Sequence, residues 1–388
     1  MAKLGDICTI YSGTGFPVQY QGTAEGQYPF YKVGDIAKNV TAGNKYLVFC
    51  ENYVEADIVK IIKGTVLPAR TVVFAKIGEA VKLNRRAITS CECLIDNNAM
   101  GIAPNESVLT LDYFFHYMCS IRLETLAEAT TVPSVKKSLI EKLDIPLPSL
   151  LEQEKISTML NKVSELIALR KEQLAKLDQL VKSRFIELFG DPVTNSMGWN
   201  TDTVNNLCQN IYGGGTPSKA HPEYYENGDI PWVSSKDMKT DILYDSQIKI
   251  NQLGVDNSTA KMVPVNSVIM VIRSGILKHT LPVAINAVPI TVNQDLKVFV
   301  PSYKISPVFL LFLFKMLEKD ILTGVRAVTA DNIEFNTLKE RLVIVPPIAL
   351  QEQFAAFVEQ TDKSKLAIQQ SLNKLELLKK SLMQEYFG

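Results

Sequence analysis

No stretch of this chain is apolar for long enough to cross a bilayer. The longest strongly apolar run, Val308–Phe314, is seven residues, where a spanning helix needs about 20. The opening residues, Met1-Ala2-Lys3-Leu4-Gly5-Asp6, lack the apolar core of a secretory signal. Cysteine is sparse. Six of them (Cys8, Cys50, Cys91, Cys93, Cys119 and Cys208) are spread over 388 residues. That is too few for a disulfide scaffold, so a reducing cytoplasm is the expected compartment. Histidine is scarcer still, at three. Cys91 and Cys93 have no second close pair, so the spacing of a zinc site is not met. Net charge is also missing: 41 basic residues face 41 acidic ones. A protein coated uniformly in basic charge is thereby excluded.

Reaction machinery is lacking as well. Gly213-Gly214-Gly215-Thr216-Pro217 has no Lys-Ser/Thr ending, so it is not a phosphate-binding P-loop. Gly13-Thr14-Gly15 lacks the third glycine of a dinucleotide fingerprint. Turn chemistry is the simpler reading of both. No nucleophile elbow is present, nor an Asn-Pro-Pro-aromatic run, nor a nuclease-like acidic cluster. His116 falls on an apolar helical face and reads as a core histidine. The sequence offers binding surfaces and no reaction centre; no catalytic residue and no cofactor of its own is expected.

What is present is a repeat, and a repeat of this length governs the reading of everything else. Pro148–Gly190 recurs, shifted by 198 residues, as Pro346–Gly388. Pro148, Gln153 and Glu154 fall on Pro346, Gln351 and Glu352; Leu174, Lys176, Leu177 and Leu180 on Leu372, Lys374, Leu375 and Leu378; Phe189-Gly190 on Phe387-Gly388. Both copies read as long helices. Apolar residues recur in one heptad register at Ile156, Val163 and Leu177, at Met159, Leu166 and Leu180, and at Leu160, Ile167, Leu174 and Val181. The second copy keeps the register at Phe354, Ile368, Leu375 and Leu382, with Phe357 and Leu378 beside them. Helices of this length suggest a coiled-coil partner. The intervening domain of about 150 residues (the size of an ordinary domain) lets the chain return. An antiparallel pair is therefore predicted, with a core of Ile156, Val163, Leu177, Phe354, Ile368 and Leu375.

The segments before each helix also correspond. Each has a glycine-rich turn, short strands, a buried helix (Leu111–Ala127, then Ser306–Lys319) and a strand-like exit. The predicted order is a domain over 1–147, a helix over 148–190, a domain over 191–345 and a helix over 346–388. Charge follows the same duplication. Between Ile58 and Ser90 seven basic residues face one acid; between Asn257 and Gln294 three basic residues face none. A duplicated basic strip points to a phosphate-facing surface. Lys76, Lys82, Arg85, Arg86, Arg273 and Lys278 are its candidates for contact with DNA.

Gly213-Gly214-Gly215-Thr216-Pro217-Ser218, then Gly228-Asp229-Ile230-Pro231-Trp232-Val233-Ser234-Ser235-Lys236-Asp237-Met238, resemble target-recognition domains of type I restriction–modification specificity subunits. The Pro-x-x-x-x-Gln-Glu openings of both helices match the same family, and the resemblance covers essentially the whole chain. The first block departs from the pattern, with Tyr31-Lys32-Val33-Gly34 where the second has Val233-Ser234-Ser235-Lys236. The resemblance implies a fold of two pseudo-repeated α/β (α+β) recognition domains separated by a pair of long antiparallel coiled-coil helices. It implies a non-catalytic DNA-specificity subunit of a phage-defence system, each domain reading one half of a bipartite site in double-stranded DNA. The helices would set the spacing and dock two methyltransferase subunits, which would carry S-adenosylmethionine; restriction-motor subunits would add to that core. Thr216, Ser234, Ser235, Lys236 and Lys32 then join the residues expected at DNA. Two other readings stay open from the sequence: a specificity chain of a fused restriction–methylation enzyme, and a scaffold holding two identical protein partners.

Overall fold

The computed structural model of the chain describes residues 1–127, 133–323, 326–327 and 331–388, with backbone alone at 326, 327 and 331. It divides into two units. One comprises Met1–Gln173 with Ile368–Gly388, the other Leu174–Ala367.

In the first unit Ala2–Lys3 pairs antiparallel with Asp144–Ile145, so the chain closes on itself before the long helix begins. Between them lies a four-stranded antiparallel sheet in the spatial order Cys8–Ser12, Ala99–Pro104, Val72–Ala75, Arg86–Ile88. A smaller sheet places Tyr28–Tyr31 between Tyr53–Val54 and, in parallel, Leu94–Ile95. Val72, Val73, Phe74 and Ala75 are all buried, as expected for a strand covered on both faces. The helix Leu111–Ser120 packs on the main sheet, with Tyr113, Phe114 and Tyr117 joining Ile10, Val72, Phe74 and Ile102 in one core.

The second unit repeats the plan. Thr201–Thr203 pairs antiparallel with Leu342–Ile344. The main sheet runs Cys208–Gly213, Leu296–Pro301, Val268–Val271, Val283–Asn286, with Ile242–Leu243 added at the edge. The smaller sheet places Ile230–Val233 between Lys249–Ile250 and Thr291–Val292. The helix Pro307–Met316 supplies Phe309, Leu310, Leu313 and Phe314 to the core.

Both buried helices are shorter than their apolar runs suggest. The first stops at Ser120, and the short helix Leu123–Leu126 follows. The cause is local. Ile121 turns extended, and its carbonyl accepts from the Arg86 guanidinium (2.6 Å) and the Asn84 amide (3.2 Å). In the second unit Pro307–Met316 gives way at Leu317 to Glu318–Thr323. The helix Val33–Thr41 has no apolar period long enough to announce it. Thr65–Leu67, which reads as a strand, contributes only the bridge of Leu67 to Cys93.

The two long helices are Leu150–Phe189 and Ile348–Phe387, 40 residues each, or roughly 60 Å at 1.5 Å per residue. The first ends where Gly190 adopts a φ of +73°, the left-handed helix cap that only glycine takes without strain. Within each unit the helical segments run antiparallel. In the first, Lys171 meets Glu376 at 3.0 Å, while Ile156 and Leu160 share a core with Leu382, Met383, Tyr386 and Phe387. In the second, Asp178 meets Lys365 at 2.7 Å, and Phe185 meets Phe354 edge-on at 5.5 Å between ring centroids.

Of the expected seam residues, Ile156, Val163 and Phe354 are buried, whereas Leu177, Ile368 and Leu375 are half-buried. No residue between Val163 and Val181 is fully buried. A seam made by helical segments leaves its residues partly wet. The three expected apolar rows do not all face the seam. Leu160, Val181, Val358 and Leu372 are buried, but Met159, Leu166, Leu180 and Leu378 are exposed. The seam is one narrow stripe spaced alternately by three and four, and the row of Met159, Leu166 and Leu180 points away from it.

The repeated glutamine explains itself in the fold. Gln153 is fully buried; its Oε1 accepts from the Thr110 amide at 2.8 Å, and its Nε2 donates to the carbonyls of Val108 and Pro148. Gln351 does the same with the Ser306 amide and the carbonyls of Pro346 and Lys304. Each thus ties the first turns of a long helix to the residue that caps its domain's buried helix. In the first unit a second tie runs through Asn161. Its amide donates to Asp112 (2.7 Å) and its oxygen faces His116 Nε2 (2.8 Å), while Lys45 pairs with Asp112 at 2.7 Å.

Candidate nucleic-acid interface

Four loops meet at one end of the main sheet in each unit. In the second unit they are 213–216, 234–237, 272–275 and 293–295. The glycines are there for close approach. A Cβ on Gly214 would lie 1.9 Å from the Val292 carbonyl oxygen, and one on Gly215 would collide with Thr259. Gly215 donates its N–H to that same Val292 carbonyl, and Asn293 donates to the carbonyl of Val233. The Trp232 indole donates to the Gly215 carbonyl at 2.9 Å. Arg273 pairs with Asp295 at 2.6 Å. The Thr216 hydroxyl donates to the Gln294 side-chain oxygen.

The first unit is built alike. A Cβ on Gly13 would lie 1.7 Å from the Asp96 carbonyl oxygen, and Thr14 bridges to Asp96. The Asp96 carboxylate accepts from the amides of Val33 (3.2 Å) and Asn98 (2.9 Å). Burial pushes its acidity down, and those two N–H donors oppose the shift. Lys32 and Asp35 correspond to Ser234 and Asp237. In both, the later aspartate accepts the N–H of the earlier residue, at 2.8 and 2.9 Å. The two loops are thus equivalent despite unlike sequences, because the aspartate and not the preceding residue holds the turn.

The structure gathers most of the expected DNA-facing residues on these loops. Thr216, Lys236, Arg273 and Lys278 are exposed, and Ser234, Ser235, Lys32 and Lys76 are half-buried. The Ser234 hydroxyl is engaged with Asp237 at 2.8 Å. The Lys32 ammonium donates to Gln21 at 2.8 Å. Lys82 is exposed and paired with Glu79 at 2.8 Å; Arg85 is half-buried. Arg86 must be withdrawn. It is 4% exposed, and its guanidinium donates to the Asn84 carbonyl, the Asn84 side chain and the Ile121 carbonyl. Burial lowers its pKa to about 10. Its charge is spent inside the first unit on ending a helix. His116 is buried as expected, and burial lowers its pKa to about 4.

Three residues escaped the sequence reading. Gln294 is exposed at the centre of the second loop cluster. Lys297 and Lys339 both lie beyond the basic strip that ends at Gln294, the second of them on the exit helix Phe335–Lys339. Extending the count along the strand would have found the first of these lysines.

Among the described residues no helix is long and apolar enough to cross a membrane. The sequence model of the type I restriction modification DNA specificity domain matches the chain twice, at residues 1–179 and 197–377. The specificity subunit of the Escherichia coli type I restriction enzyme EcoR124I/EcoR124II is 34% identical over 179 residues, covering 45% of this chain and 44% of that subunit. The match thus spans less than half the length of that relative. The MjaIX specificity subunit of Methanocaldococcus jannaschii is 22% identical over 379 residues, covering 92% of this chain and 85% of its own. A crystal structure of the S subunit of a type I restriction–modification system from M. genitalium shares the fold over 100% of this chain and 95% of that one, with a TM-score of 0.59 at 15% identity. A chain from a study of complex assembly and conformational transition in the type I R-M system gives the same TM-score at 18% identity, covering 100% of this chain and 96% of that one.

Proposed function

The chain belongs to the type I restriction modification DNA specificity family, and from that premise we propose that it is the DNA sequence-specificity subunit of such a system. Residues 1–147 and 191–345 act as recognition domains, each reading one half of a bipartite site in duplex DNA. Residues 148–190 and 346–388 act as helical spacers that set the gap between half-sites and dock the partner methyltransferase subunits. The chain itself is non-catalytic; methyl transfer and cleavage belong to its partners, with S-adenosylmethionine held by the methyltransferase. The observation that carries this reading is the duplicated loop cluster. Two equivalent scaffolds hold Lys32 and Ser234, Lys76 and Arg273, and Thr14 and Thr216 on corresponding loops, with different side chains at most positions. A common scaffold with unlike surface residues suits two different half-sites, and separated readers suit a split target.

Duplex binding measured as a function of salt tests the DNA-binding half of this proposal. A specificity subunit loses affinity linearly in log–log form as salt rises; a protein scaffold shows no such dependence. Co-purification from the host tests the partner. A separate methyltransferase subunit is expected, and a single fused restriction–methylation polypeptide in its place would overturn the subunit assignment.

A further inference from the structure

Two lysines of the second unit lie over one aromatic ring beside the loops. Lys297 Nζ lies 4.6 Å from the centroid of the Phe335 ring, and Lys339 Nζ lies 5.5 Å from the same ring. Lys297 is opposite Gly213 in the sheet register. A Cβ on Gly213 would come within 2.6 Å of the Lys297 ammonium, so the charge rests against the backbone that opens the glycine-rich loop. Both lysines and Phe335 are half-buried. Among the described residues neither lysine has a carboxylate partner. Nearby Arg273, by contrast, is neutralised by Asp295.

The arrangement is costly without an anion. Burial disfavours a charged ammonium unless it is paired. Burial first, and then the neighbouring Lys339, hold the Lys297 ammonium below the usual lysine range. The Phe335 ring, over which both ammonium groups lie, offsets part of this but neutralises neither. Nor does the scaffold demand the pair. In the first unit the register partner of Ser12, the counterpart of Lys297, is Met100, which is buried. The residue 198 positions before Lys339 is Glu141, which pairs with Lys137 at 3.8 Å. The same fold therefore closes with a methionine and an internally satisfied ion pair.

We propose that Lys297 and Lys339, both over the Phe335 ring, form a clamp for a backbone phosphodiester of duplex DNA, present in the second recognition domain and absent from the first. The clamp rests on the DNA-specificity reading and sharpens it. It adjoins the loop that carries Thr216 and the strand that follows Gln294 and Asp295, so a strand of DNA on those loops passes it. A phosphodiester there would bring one negative charge to two cations that have no carboxylate partner among the described residues. Such a contact fixes register and carries no base information, so it belongs beside the reading residues and does not replace them.

The test compares the full chain with Lys297→Met, Lys297→Arg and Lys339→Gln on one duplex of arbitrary sequence, over a range of chloride concentrations. Methionine is the residue the same register position already accommodates in the first unit. Each neutralising change is expected to reduce the salt slope, by no more than the roughly 0.9 that one phosphate contact carries, and to leave the melting temperature unchanged or higher; Lys297→Arg is expected to keep the slope. Unchanged slopes for both neutral variants, on a wild-type chain that does bind duplex with a salt-dependent affinity, would overturn the clamp and leave the DNA reading intact. A wild-type chain without salt-dependent duplex binding would overturn the DNA reading and the clamp together. A parallel titration with inorganic phosphate separates the remaining source. Millimolar or tighter binding lost in Lys297→Met, with the duplex slope unchanged, would assign the site to free phosphate and overturn the proposal.

Discussion

Gln153 and Gln351 each satisfy one amide and two carbonyls from a fully buried position. Truncation leaves those groups without partners, at a cost of about 1–3 kcal/mol for each buried group. Gln153→Ala is expected to lower the denaturant midpoint markedly, and Gln153→Glu to do the same by burying a charge. Equal stability of Gln153→Ala and wild type would refute the tie. Arg86 makes the converse case. Its replacement by Met is expected to destabilise the first unit while leaving the salt slope of DNA binding unchanged. His116 supplies a pH dependence with a defined sign. Burial lowers its pKa from 6.5 to about 4, so the unfolded chain binds the proton first. Its contribution is complete above pH 6.5 and is lost as pH falls toward 4, on the order of 3 kcal/mol at the low end. Comparing wild type with His116→Gln over pH 4–7 should show a stability difference that shrinks as pH falls, with the variant less steep.

At the scale of elements, the sequence was most informative where periodicity was long. The two 40-residue helices and their shared register follow from Ile156, Val163 and Phe354 recurring without Pro or Gly. The seam's width did not follow, because Met159, Leu166 and Leu180 are as apolar as Leu160 and differ only in which way the helix turns them. Short strands such as Leu94–Ile95 were illegible for a different reason: two residues carry no period. The loops were legible as motifs but not as geometry. Gly13 and Gly214 read as turn residues, whereas the backbone at both is held by close approach to the carbonyls of Asp96 and Val292. Arg86 was misplaced because a charge count does not see burial. The helices also set a test. Inserting four residues between Leu166 and Leu177 adds about 5.4–6 Å, comparable to one or two base pairs at about 3.4 Å each, and keeps the stripe nearly aligned; two residues rotate it away. The four-residue insertion is expected to lengthen the gap in the recognised sequence, and the two-residue insertion to lose stability in thermal melts.

For the molecule as a whole, the proposed function requires that the two domains, which share a scaffold, read separately. Under the proposed function the target is bipartite, and the duplicated loop clusters would be the means of reading it. Sequencing-based mapping of adenine methylation in a host genome tests this directly, with the native chain and with a hybrid whose residues 1–147 come from another such domain. The native chain should give one split motif with a fixed gap, and the hybrid should change one half of it and leave the other half and the gap intact. A motif that changes in both halves, or methylation that does not depend on the chain at all, would contradict the account.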